Sequence, residues 1–331
     1  FKCGPDYIDP MFHSRIIGAK SANLDLHFFS ENTLRFLLAK NAAGCDVSVV
    51  EGAMGFYDGA GLTTWKTSAY ELALVTKTPV VLVVNARGAA LSVLAVIEGF
   101  LRFQPESGIR GVILNQCTAM TYASLSAAIE ERFGIRCLGF LPKLDECAIE
   151  SRHLGLVTAA EIEGLREKMQ TLAAQAEKTL DIDSLLALGR EAPPLRCAPI
   201  VLPRREKIRL AVARDKAFCF YYEDSLDAVR EMGGEIVPFS PLSESVLPEN
   251  IDGLYLGGGY PELYAKELSE NASMRVSVRA AIEKGVPCIA ECGGFMYLTE
   301  AIGDAPMVGA LPGTCFDTGR LTRFGYVTLR A

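Results

Sequence analysis

The sequence predicts an α/β protein of two domains, each a doubly wound parallel sheet with helices on both faces. Three observations carry this expectation. Short β-branched runs alternate with amphipathic stretches through both halves of the chain, the pattern of a parallel sheet covered on both sides. A Pro-rich, charged segment around Pro203 interrupts the alternation, and prolines disfavour continuation of either element. The 331 residues are enough for two cores of ordinary size.

In order, residues 46–50, 79–84, 111–114 and 137–140 read as buried strands, with helices expected at 91–103 and 122–133. The Ala-, Leu-, Glu- and Lys-rich stretch 159–188 reads as helix. After the Pro-rich segment, strands are expected at 208–213, 235–238, 253–256 and 287–290, with helices at 225–232, 261–284 and 294–301. Domains at 1–190 and 207–331, joined by a linker at 191–206, follow from this pattern.

Composition narrows the function. Half of the residues are hydrophobic, 22% are charged and the net charge is −7, which gives no support to nucleic-acid binding or to an anionic membrane surface. No apolar run reaches the ~18 residues of a membrane helix. Ten cysteines are scattered with no CxxC pair, as expected of reduced thiols in a cytoplasmic protein. The chain begins at Phe1, directly in a loop-like motif, and a missing N-terminal segment is expected.

The second domain carries the sharper signal. The apolar strand 286–290 runs into Glu291-Cys292-Gly293-Gly294, and a helix follows. Such a turn lifts Cys292 out of the sheet and aims a helix N-terminus at its sulfur, and Gly293 can present its N–H to an oxyanion. Cys288, inside the strand, reads as a core thiol. A second strand-to-helix junction, Leu256-Gly257-Gly258-Gly259-Tyr260-Pro261, allows close backbone approach, so Gly258 and Gly259 are expected to complete an oxyanion hole. Together these residues make the domain resemble a class I glutamine amidotransferase, in which a cysteine attacks the glutamine amide and releases ammonia. That family also uses a histidine base, yet His13, His27 and His153 all precede the linker. Glutamine hydrolysis by these 331 residues is therefore expected to be very low.

The first domain carries carboxylates. Asp6 and Asp9 sit in the Gly/Pro-rich loop Lys2-Cys3-Gly4-Pro5-Asp6-Tyr7-Ile8-Asp9-Pro10, and Glu51 follows the strand expected at 46–50 and precedes Gly52-Ala53-Met54-Gly55-Phe56-Tyr57-Asp58-Gly59. A carboxylate at the carboxyl end of a parallel strand lies where α/β sheets bind ligands, and hard oxygens suit Mg²⁺ beside nucleotide phosphates. No G-x-x-x-x-G-K-[ST] loop occurs in the sequence.

These two motifs, with Val84-Asn85-Ala86-Arg87-Gly88, Gly111-Val112-Ile113-Leu114-Asn115 and the segment Ala213–Tyr222, resemble the cobyrinic acid a,c-diamide synthases across nearly the whole chain. The resemblance implies a P-loop NTPase-like, dethiobiotin synthetase-like amidoligase domain whose P-loop lies upstream, then a flavodoxin-like class I glutaminase domain. It implies ATP and Mg²⁺ as cofactors and cobyrinic acid and glutamine as substrates, with acyl phosphates of the a- and c-acetates displaced by ammonia. Glu51 and Asp6 would hold the metal; Asp6, Asp9 and Asp58 would act on the reacting carboxylate; Cys292 would be the glutaminase nucleophile. Asn115 and Lys2 would bind the nucleotide, and Lys2, Lys20 and Arg87 are candidates for the substrate's many carboxylates. Asn85 departs from the Asp that the family pattern leads one to expect. A homodimer follows by analogy. Enzymes acting on hydrogenobyrinic acid or a nickel tetrapyrrole share most of these residues and stay open as alternatives. So do cobyric acid synthase, a ParA/MinD-like nucleotide-binding module, and a stand-alone cysteine hydrolase.

Overall fold

The computed structural model describes residues 1–148, 151–152, 155–156, 164–320 and 325–328. They gather into two compact units, Phe1–Ile200 and Val201–Ala331, and no described helix is long and apolar enough to cross a membrane.

The first unit opens with β1 (Lys2–Cys3), α1 (Ile8–Phe12), a π-helical turn His13–Ile17, β2 (Asn23–Leu24), α2 (Glu31–Ala42) and α3 (Ala69–Thr76). A parallel sheet follows, built from β3 (Val80–Asn85), β4 (Ile109–Asn115) and β5 (Arg136–Leu141) in that spatial order, with α4 (Ser92–Arg102) and α5 (Ala119–Phe133) in the crossovers. The strands alternate their side chains between two apolar layers. Leu82, Val84, Val112 and Leu114 pack with Val93 and Ile97 of α4 and Ile129 of α5. Val81, Ile113 and Leu138 pack instead with residues 180, 185 and 188, which follow later in the chain. A two-residue pair, β6 (Ser151–Arg152) and β7 (Gly155–Leu156), precedes α6 (Leu165–Thr179) and α7 (Ile182–Arg190).

Two expectations for this unit change. Residues 46–50 are not a strand: only Glu51 bridges, to Lys2, while Val47 and Val49 stand 55% and 71% exposed. The neighbour available to this segment is the two-residue β1, so the ladder has no length over which to extend. The helix expected at 159–188 divides at Leu180, whose residue pairs with Gly139. Asp181 restarts it by accepting from Ser184 N at 2.9 Å; positions 159–163 lie outside the described residues.

In the second unit β8 (Arg209–Ala213), β10 (Glu235–Phe239), β11 (Gly253–Leu256) and β13 (Cys288–Ala290) form one parallel sheet in the order β10-β8-β11-β13. That is the flavodoxin-like order, whose reversal lies between β8 and β11. β9 (Phe218–Phe220) pairs antiparallel with β12 (Gly258–Gly259), a two-residue strand just past the end of β11. The helices are α8 (Glu223–Glu231), α9 (Ala265–Glu270), α10 (Ala272–Glu283) and α11 (Gly293–Leu298). Beyond them β14 (Ala301–Ile302) pairs with β15 (Ala305–Pro306) and β16 (Thr314–Cys315). Ala211, Ala213, Leu254 and Leu256 meet Leu268, Met274, Val278 and Tyr297 in the core. The continuous helix expected at 261–284 is broken: Pro261–Tyr264 is a 3-10 turn, and Asn271 starts α10 by accepting from Met274 N at 3.3 Å.

Candidate functional sites

The Cys292 site begins with backbone. Cys292 has φ 49° and ψ −112°, a conformation that is uncommon for any residue with a Cβ and held only where its surroundings impose it. The surroundings here are two neighbouring strand ends tied together. Glu291 N donates to Leu256 O at 3.0 Å, and Gly294 N donates to Gly257 O at 2.9 Å. The approach at Gly294 leaves no room for a side chain, since a Cβ there would lie 2.0 Å from Leu256 O. Side chains at 258 and 293 would point into the same corner: a Cβ on Gly258 would lie 3.4 Å from that of Cys292, and one on Gly293 would lie 3.2 Å from Gly259 N. Gly258, Gly259 and Gly293 are buried while Cys292 is exposed. The four residues singled out in the sequence therefore meet at one corner, an exposed thiol backed by buried peptide groups.

Two tyrosines support the corner. Tyr221 donates to Ala213 O and accepts from Gly257 N at 2.9 Å. Tyr255 stands edge-on to it at 5.2 Å and donates to Glu291 Oε2 at 3.1 Å. Asp215 accepts from Ala217 N, Phe218 N, Ser240 Oγ and Leu242 N, which fixes the loops that follow β8 and β10.

The Lys2 site is built from side-chain charge. Lys2 is 5% exposed, and its Nζ lies 2.5 Å from Asp9 Oδ2, 3.3 Å from Glu51 Oε1 and 3.9 Å from Asp6 Oδ2. A buried ammonium requires such compensation. Burial works against its charge, but Asp9, Glu51 and Asp6 outweigh burial and hold Lys2 above the usual lysine value. Burial and the adjacent Asp9 push Asp6 up. Burial acts in the same direction on Asp9, yet the hydrogen bonds from Lys2 and Asp6 leave it below the usual carboxylate range. The pair thus divides its labour, with Asp9 the readily ionised member and Asp6 the better proton holder. Asp6 Oδ1 also accepts from Ile8 N and Asp9 N, at 2.8 and 3.2 Å.

His13 Nε2 lies 3.0 Å from Glu51 Oε2. In the sequence His13 counts only as a histidine that precedes the linker, and a loop reading of residues 2–10 carries no signal that it meets Glu51. Asp58 and Asn115 sit apart from the Lys2 interactions. Asp58 Oδ2 accepts from Gly55 N at 2.9 Å, closing its own turn, and Asn115 Oδ1 accepts from Gln116 N at 3.0 Å at the end of β4. Asn85 likewise folds back to Arg87 N at 3.0 Å. Among the described residues, no group of three or more His, Cys, Asp or Glu side chains is disposed to hold a metal ion. The carboxylates that converge do so on Lys2.

Residues 209–326 match the CobB/CobQ-like glutamine amidotransferase domain, and residues 19–151 match an AAA domain. The chain is 43% identical to a cobyrinate a,c-diamide synthase of Caldanaerobacter subterraneus subsp. tengcongensis, over 99% of this chain and 74% of that relative. It is 42% identical to one of Listeria monocytogenes and 40% identical to one of Priestia megaterium, over 98% of this chain and 74% and 72% of those relatives. No solved structure matches the chain.

Proposed function

The chain belongs to the cobyrinate a,c-diamide synthase family, and from that premise we propose that it amidates the a- and c-acetate carboxylates of cobyrinic acid, using glutamine as nitrogen donor and ATP as activator. The observation that carries the glutaminase half is the strained Cys292 held against Gly258, just past the ends of the neighbouring parallel strands β13 and β11. Sγ would attack the glutamine amide carbon, and backbone N–H groups of the Gly258-Gly259 and Gly293 segments would receive the developing oxyanion. A thioester forms, ammonia leaves, and water releases glutamate.

In the other half a carboxylate must first become an electrophile. Transfer of the terminal phosphoryl group of ATP gives an acyl phosphate, from which ammonia displaces phosphate. Asp9 and Asp6, whose hold on a proton differs in direction, suit handling of the substrate acid and of the proton lost by ammonia, with Asp58 orienting the intermediate. Lys2 supplies fixed positive charge toward carboxylate or phosphate, and Asn115 reads the adenine edge. Mg²⁺ fits in chemical kind: it needs only one or two carboxylates beside phosphate oxygens and water, and Glu51, with its side chain 47% exposed, can supply one and Asp6 another. Once bound, it would neutralise charge on the transferring phosphoryl group. The reading places the protein in the cytoplasm as a homodimer, which sedimentation checks.

The test is to supply the full-length protein with cobyrinic acid and ATP, using either glutamine or ammonium salts, and to count phosphate released and amides formed by mass spectrometry. Amidation with both nitrogen sources is expected. Absence of ATP consumption with ammonium overturns the reading.

A further inference from the structure

The hydroxyl of Tyr221 is used twice behind the Cys292 corner. It donates to Ala213 O at the end of β8 and accepts from Gly257 N at the end of β11. Its ring fills the space beside Gly257, where a Cβ would lie 2.5 Å from ring atoms. Gly257 O then accepts from Gly294 N, two residues beyond the nucleophile. The hydrogen bonds on the two sides of Gly257 therefore link β8, through the phenol and the backbone of this one residue, to α11. Burial pushes the phenol well above its usual value, so the hydroxyl keeps the proton that it donates.

We propose that Tyr221 is a positioning residue for the oxyanion hole: by fixing the Gly257 peptide it sets where Gly258 and Gly259 lie against Cys292. The proposal rests on the amidotransferase reading of Cys292. Without the hydroxyl, Gly257 N–H and Ala213 C=O lose a buried partner and the peptide is released to seek another. Donors displaced by a fraction of an ångström lose their hold on an oxyanion while the thiol itself is untouched.

Two reactions of Cys292 separate these effects in the 331-residue chain, and neither requires a histidine base. Glutamate γ-semialdehyde adds reversibly: the Sγ–C bond forms, the carbonyl π pair moves to oxygen, and the thiol proton ends on that oxygen. The adduct resembles the tetrahedral intermediate and calls on the hole. Iodoacetamide alkylates the same sulfur by displacement, iodide leaving and the thiol proton passing to solvent, with no oxyanion formed. Tyr221→Phe is expected to weaken semialdehyde binding by about tenfold or more while the iodoacetamide rate is unchanged. Gly257→Ala, which drives a methyl into the ring without removing the hydroxyl, is expected to show the same split, and it decides the matter if Tyr221→Phe does not fold. Unchanged semialdehyde binding, or equal loss of both reactions, overturns the positioning role. Failure of the unsubstituted chain to bind the semialdehyde at all, with iodoacetamide still labelling Cys292, counts instead against the amidotransferase reading.

Discussion

Around Cys292 the backbone makes the site, whereas around Lys2 side-chain charge makes it. The first corner consists of buried glycines, a strained φ and tight peptide contacts; its ingredients are shape and direction. The second gathers one buried ammonium and three carboxylates, with a histidine on the outer one; its ingredients are signs that must balance. Sites of these two kinds fail differently. A shape site fails when an atom is added, and a charge site fails when an atom is removed.

The largest expected effect is at the nucleophile. In the full-length protein, Cys292→Ala should lower glutamine-supported amidation by about a thousandfold or more and leave ammonium-supported amidation intact; loss of both together breaks the division between the sites. Glutamine hydrolysis by the 331-residue chain should be close to background, since residues 201–331 contain no histidine to act as base. A continuous assay showing robust turnover would remove that expectation. Lys2→Met should destabilise the first unit by about 3–5 kcal/mol, because Asp9 and Glu51 lose the cation that compensates them; urea unfolding measures it, and a change well under ~1 kcal/mol would mean that water already screens the cluster. Gly294→Ala, the matching insult to the shape site, should cost about 1–3 kcal/mol in the second unit, with iodoacetamide reactivity of Cys292 altered in step.

The smallest effect is with pH. Burial pushes Tyr57 and Tyr122 up to about 12, against an ordinary tyrosine value of about 10. A phenol with a raised folded value stabilises fully below the unfolded value, and that stabilisation is lost as pH rises through the folded one. Unfolding free energy should fall between about pH 10 and pH 12, and less steeply in Tyr57→Phe. A flat profile would show that neither hydroxyl, bonded to Phe100 O and Cys137 O, contributes.

Where strands were long enough to pair along their length, the sequence was legible. Residues 253–256 form a strand as read, and 79–84, 111–114 and 208–213 lie within a residue or two of the observed elements. The strand expected at 46–50 was misread because β-branched alternation reports what a residue prefers and not whether a partner is present. The breaks at Asp181 and Asn271 were missed for a related reason: each residue caps a new helix inside a run that helix propensity alone would continue. In the sites, the nucleophile and Gly293 were visible because they adjoin each other after an apolar strand, and Gly258 and Gly259 because they form a second Gly-rich strand-to-helix junction. The convergence on Lys2 was not, since Glu51 reaches it across 49 positions. Tyr221 was visible only as part of a motif, because its purpose lies in the two peptide groups that its hydroxyl joins.

Gly294 also determines which substitutions the chain can accumulate. A screen of random variants for stably folded protein should return glycine there far more often than any other residue, because any β-carbon meets a carbonyl oxygen of the adjoining strand end. Gly99 and Gly189 present the opposite case: both lie in helices, neither has an atom within 4 Å of where a Cβ would sit, and alanine at either should be recovered freely, with a gain of about 0.5–1 kcal/mol each. Tolerance to drift in this protein is therefore uneven among residues of one type, and it is narrowest where two strand ends close on one another.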